Sequence, residues 1–127
     1  MSLKLDDLSP RFRPLAIELL ARCTEQRIPI VIVDTLRTPD EHKQNLFKGV
    51  SWTNHSKHLD GDAIDICPFS TYDAHGSNKL LWDGGDPIWQ RLGAIGEALG
   101  LRWGGRWSKP DMGHFEFVER RPETRQA

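Results

Sequence analysis

Two hydrophobic rhythms alternate along the chain. In LSPRFRPLAIELLARCTEQR (8–27), Leu15, Leu19, Leu20 and Cys23 recur at helical spacing. The segment therefore predicts a helix with one buried face, with Ser9 as its cap and Pro10 at its first position. IPIVIVDTLR (28–37) is β-branched and apolar and predicts a strand ending in the polar Asp34, Thr35 and Arg37. TPDEHKQNLFKG (38–49) predicts a second helix: Thr38 is the N-cap, Pro39 is N1, Glu41 completes a capping box, and Gly49 ends it. After a polar loop over 50–60, DAIDICP (62–68) predicts a strand that Pro68 stops. Residues 69–85 lack periodicity and read as a long irregular connection. DPIWQRLGAIGEALG (86–100) predicts a third helix, with Asp86 as N-cap, Pro87 at N1 and Gly100 as its stop. LRW (101–103) and GHFEFVE (113–119) predict the last strands.

The elements add up to an α+β domain, about three helices packed on a small, mostly antiparallel sheet. At 127 residues the chain suffices for one core, so 1–127 is expected to be a single domain with a flexible tail over about 120–127. Hydrophobic residues make up 38% and charged residues 28%, an ordinary globular composition, and the net charge of −1 offers no global basic field for nucleic acid or an anionic membrane. Cys23 and Cys67 form no CxxC pair, so neither a disulfide framework nor a cysteine zinc knuckle is expected. The first twenty residues lack a continuous apolar stretch, so neither a signal peptide nor a membrane span is expected, and synthesis in a cytoplasm follows.

The candidate chemistry lies where strands meet polar loops. Alternation along 62–66 sends Ile64 and Ile66 into the core and Ala63 and Asp65 the other way. Along 114–118 it sends Phe115 and Phe117 inward and His114 and Glu116 outward. If these strands are neighbours, Asp65 and His114 meet on one face, with His58 delivered by the loop that bends at Gly61. Two histidines and one carboxylate leave a coordination position free, as in catalytic zinc sites. Taken singly, each histidine is more often a surface residue; the combination on compatible elements favours a metal. His42, His55 and His75 have no such setting and are expected in solvent, with His55 a reserve ligand.

Asp111, three residues before His114, either exchanges a proton beside such a metal or merely starts the turn after Pro110. Arg37 either donates to a carbonyl oxygen as it becomes negative or pairs on the rim with Asp34 or Asp40. Ser56 is placed to hold substrate or the loop. Gln44 reaches the cleft or lies on a solvated helix face. Trp103 and Trp107 flank the Gly104–Gly105 pair and either wall a groove or pack the core.

SKHLDGDAID (56–65) carries all five fixed positions of an SxHxxGxAxD signature, and DMGHFE supplies a downstream acid–x–x–His. In these motifs the chain resembles the zinc D,D-peptidase group that includes the vancomycin-resistance carboxypeptidases and dipeptidases. The Asp in the acid position, HFE and WGGRW are similar to its phage endolysin branch, the L-alanyl-D-glutamate peptidases. The resemblance implies a hedgehog/D,D-peptidase-like fold, Zn2+ on His58, Asp65 and His114, Asp111 as general base and acid, Arg37 as stabiliser of the oxyanion, and Ser56 near the substrate. It implies hydrolysis of a peptide bond in the stem peptide of bacterial peptidoglycan, by a monomer that waits in the host bacterial cytoplasm until release to the wall. The near-neutral charge leaves no nucleic-acid partner and no stable membrane association expected. D-alanyl-D-alanine carboxypeptidase activity and a catalytically silent metal-binding module are the alternatives. Arg106, where the branch often has an acid, and Gly113, where it often has Pro, are departures expected to alter the groove.

Overall fold

A computed structural model of the chain describes residues 3–35, 57–70 and 80–119. Its sheet has four antiparallel strands: β1 (Ile30–Asp34), β2 (Ala63–Pro68), β3 (Arg102–Trp103) and β4 (His114–Glu116), in the order β1-β2-β4-β3. Two α-helices lie among the described residues, α1 (Arg13–Glu25) and α2 (Ile88–Ala98). The helix predicted over 38–49 lies outside them. The α+β class with a small antiparallel sheet therefore stands.

All four strands fall inside their predicted segments. The helix starts differ. α1 begins at Arg13 with Pro14, not Pro10, in its first turn. Ser9 instead organises the preceding turn: its carbonyl accepts from Phe12 and Arg13, while its hydroxyl donates to Asp62 Oδ1 at 2.6 Å. At α2, Pro87 is the N-cap rather than N1, and Asp86 still accepts the Ile88 amide at 3.0 Å. The one-residue offset at α2 is ordinary for a helix end, whereas α1 starts three residues later than expected.

Both helices end in the same bonded turn. Gly100, at φ 85°, donates to Glu97 O, and Leu101 donates to Gly96 O. Arg27, at φ 60°, donates to Thr24 O, and Ile28 donates to Cys23 O. This is the Schellman pattern, which asks for a left-handed residue after the cap. Gly100 adopts that conformation freely; Arg27 does so against its Cβ.

The core fills the space between the helices and one face of the sheet. Leu19 and Cys23 of α1, Trp89 and Leu92 of α2, and Ile64, Ile66, Trp103 and Phe115 of the strands are all buried in one cluster. Two helical glycines permit this approach. A Cβ on Gly93 would stand 2.4 Å from the Trp103 ring, and one on Gly96 would stand 2.4 Å from the Phe115 ring. Trp103 and Phe115 stack at 6.5 Å, and the Trp103 indole N–H donates to Met112 O at 2.7 Å. Trp103 is thus a core residue. Arg106 is held bidentately by Glu97 of α2 at 2.9 and 3.0 Å, so its guanidinium braces the helix.

Candidate metal centre

The opposite face of β2 and β4 carries the polar cluster. Asp65 and His114 are register partners across the β2–β4 ladder, as strand parity predicts. His58 arrives from a 3-10 turn, Lys57–Asp60, where the sequence suggested only loop. Gly61, at φ 73°, turns the chain into β2, and the close Ser9 amide leaves no room for a Cβ there (2.8 Å). An ion pair anchors the next residue: the buried Asp62 accepts from Nη2 of the half-exposed Arg11 at 2.6 Å.

The three side chains converge. Asp65 Oδ1 lies 3.2 Å from His58 Nε2 and 3.0 Å from His114 Nδ1, and one ligand atom from each residue falls within a 4.8 Å span. The two rings meet edge to face at 5.2 Å. His58 is 2% exposed and His114 5%.

The far side of each ring fixes which nitrogen faces the centre. His58 Nδ1 lies 2.7 Å from Thr35 O, and a carbonyl only accepts, so that nitrogen carries the hydrogen and Nε2 faces inward. The ladder shifts register between Ile32 and Asp34, immediately before Thr35. His114 Nε2 lies 2.8 Å from Glu116 Oε1, which leaves Nδ1 toward Asp65. Metal-bound histidines are commonly oriented in this way.

The electrostatics favour a cation at the centre. Burial opposes charge on Asp65, yet hydrogen bonds from His114 and His58 outweigh it and hold the carboxyl well below its usual range. Burial likewise pushes His114 down, but hydrogen bonds to Asp65 and Glu116 and the charge of Asp111 carry it up to about 9. Two imidazole nitrogens and a carboxylate oxygen around a point that attracts positive charge fit a divalent metal of the zinc type. Both cysteines are buried and outside the cluster.

Asp111 sits on the exposed turn leading into β4. Its carbonyl accepts the His114 amide at 3.1 Å, its amide donates to Gly104 O at 2.9 Å, and its charge reaches His114. Trp107 lies over the His114 ring at 5.0 Å and walls the cluster. Gly113 packs against β2: its carbonyl accepts the Ile66 amide, and a Cβ there would meet Ile66 O at 2.3 Å. Arg37, Gln44, Ser56 and the reserve ligand His55 lie outside the described residues, as do His42 and His75. Sequence reasoning passed over two groups at the centre. Glu116 was visible in strand parity, two residues after His114. The Thr35 carbonyl depends on a register shift and left no signal.

The sequence profile of the M15-type peptidase family described as D-alanyl-D-alanine carboxypeptidase matches residues 49–117, which contain all three cluster residues and Asp111. This chain belongs to the M15 peptidase family. M15 peptidases are metallopeptidases, and the chain's His58–Asp65–His114 cluster suits a metal. An L-alanyl-D-glutamate peptidase of Listeria phage A118 is 30% identical over 118 residues, covering 89% of this chain and 39% of the relative. Another, of Escherichia phage T5, is 32% identical over 94 residues, covering 68% of this chain and 64% of the relative. The chain thus spans under two thirds of either relative. Its fold is similar to that of the Serratia marcescens L-Ala D-Glu endopeptidase ChiX, with a TM-score of 0.70, 20% identity, and coverage of 90% of this chain and 83% of that one.

Proposed function

We propose that this M15 chain is a zinc peptidase that hydrolyses the L-alanyl-D-glutamate bond in the stem peptide of bacterial peptidoglycan, working as a single domain in phage-type wall lysis. The observation that carries the reading is the convergence of His58 Nε2, Asp65 Oδ1 and His114 Nδ1 beside a turn that bears Asp111. Support for the substrate comes from the names of the two phage relatives.

His58, Asp65 and His114 would hold the ion. Zinc in such a setting supplies an acidified water and a positive charge for the developing oxyanion. Asp111, exposed and one turn from His114, accepts the proton of the attacking water and returns it to the departing amine. The spare hydrogens of both imidazoles are engaged behind the site, so the rings act as ligands rather than as proton carriers. Trp107 shields the His114 side from water. Arg37 is assigned the oxyanion from the sequence pattern alone, and Ser56 and Gln44 the substrate.

Cleavage of a terminal D-Ala-D-Ala bond is the second reading, favoured by the description of the matching family. Digestion of purified peptidoglycan, with and without a chelator, separates the two. New N-terminal D-Glu that disappears with the chelator is the expected result. Free D-Ala would establish the second reading, and absence of new termini would overturn both.

A further inference from the structure

Glu116 is outside the ligand set, yet it is 5% exposed on the same face of β4 as His114. Burying a carboxylate is costly unless its oxygens are engaged. Both are. Oε1 meets His114 Nε2 at 2.8 Å, and Oε2 accepts from Arg102 Nη1 at 3.3 Å across the β3–β4 register pair. Paired with the Arg102 guanidinium, Glu116 is a carboxylate, and a carboxylate only accepts. The contact therefore takes a hydrogen from Nε2, which leaves Nδ1 facing Asp65 and His58 as the nitrogen that a metal would claim in place of a proton. Glu116 cannot itself reach the centre in this arrangement, because the imidazole ring stands between.

We propose that Glu116 is a positioning residue that selects Nδ1 of His114 as the metal-facing atom and strengthens it as a donor, an inference that rests on the metal-centre reading above. A carboxylate behind a histidine ligand both locks the ring and increases its basicity. Arg102 has its side chain about half exposed (54%), so it braces Glu116 from the solvent side while the His114 contact is the enclosed one. A merely structural Glu116 would instead work through Arg102, tying β3 to β4.

The test uses the full chain, metal-free, in four forms: unmodified, Glu116→Gln, Glu116→Ala and Arg102→Gln. Zinc affinity is read by competition with a chromophoric chelator, and the His114 ring nitrogens by NMR before and after zinc is added. Glu116→Gln keeps the shape of the side chain and can turn its amide toward Nε2, so it decides the matter even if Glu116→Ala fails to fold. The expected result is a loss of roughly 10–100-fold in zinc affinity for Glu116→Gln, with a changed His114 tautomer, while Arg102→Gln stays within about threefold of the unmodified chain. Unchanged affinity and tautomer in Glu116→Gln, or an equal loss in Arg102→Gln, would overturn the positioning role and leave the metal centre standing. Failure of the unmodified chain to bind zinc would overturn the metal centre and this inference together.

Discussion

Gly96→Ala sets two magnitudes against each other. Glycine inside a helix is disfavoured relative to alanine by about 1 kcal/mol, so propensity alone predicts a more stable protein. Packing predicts the reverse. The new methyl would lie 2.4 Å from two carbons of the Phe115 ring, where ordinary carbon contacts need about 3.5–4.0 Å. Something must open by over ~1 Å, and Phe115 is fully buried and stacked against Trp103. Overfilling a close-packed core costs about 1–3 kcal/mol, and a displacement of this size belongs in the upper part of that range. The net expectation is a loss of ~1–2 kcal/mol, or a Tm lower by about 3–8 °C for a domain of this size. Because β4 carries Phe115 and His114 side by side, the same shift would loosen zinc binding. Thermal unfolding of Gly96→Ala should be compared with Gly84→Ala, whose Cβ would meet only Met112 Cγ at 3.7 Å and should be near neutral. An unchanged or raised Tm for Gly96→Ala would refute the packing argument.

Three further predictions concern separate parts of the molecule. Asp111→Ala should retain stoichiometric zinc by metal analysis and lose about 10²–10⁴-fold in turnover, and a near-native rate would remove Asp111 from proton transfer. Arg27→Gly should raise the unfolding free energy by ~0.5–1 kcal/mol, because φ 60° strains a residue with a Cβ; a lower midpoint in urea would contradict this. At Asp62, burial raises the carboxyl, but hydrogen bonds from Arg11 and Ser9 outweigh it, so its folded pKa lies below the unfolded value of about 3.9. Its stabilisation is then present above that pH and lost below it, so Asp62→Asn should cost more stability at pH 7 than at pH 3. Equal losses at both pH values would exclude that linkage.

Much of this was legible because strand parity is a strong local signal. The alternation around Ile64–Ile66 and Phe115 fixed which side chains share a face, and β2 and β4 proved to be direct neighbours in the register that joins Asp65 to His114. The fold class followed from the same patterns. Less local features were harder to read. The start of α1 was misplaced because Ser9–Pro10 imitates a capped start, whereas the Ser9 hydroxyl is spent on Asp62, more than fifty residues away. Arg27 gives no hint of a left-handed turn, while Gly100 in the equivalent place does. Gly93 and Gly96 look like weak points of a helix until the Trp103 and Phe115 rings are seen lying on them. Glu116 shares the parity of His114, but parity alone does not tell that this face is covered.

The central claim is that His58, Asp65 and His114 hold one zinc with room for a water. Zinc-edge X-ray absorption on the zinc-loaded chain tests it most directly. One zinc per chain is expected, with two imidazole nitrogens and two oxygens at about 2.0–2.2 Å. A sulfur neighbour at about 2.3 Å, or a spectrum unchanged by replacing His58 and His114 together, would place the ion elsewhere and contradict the account.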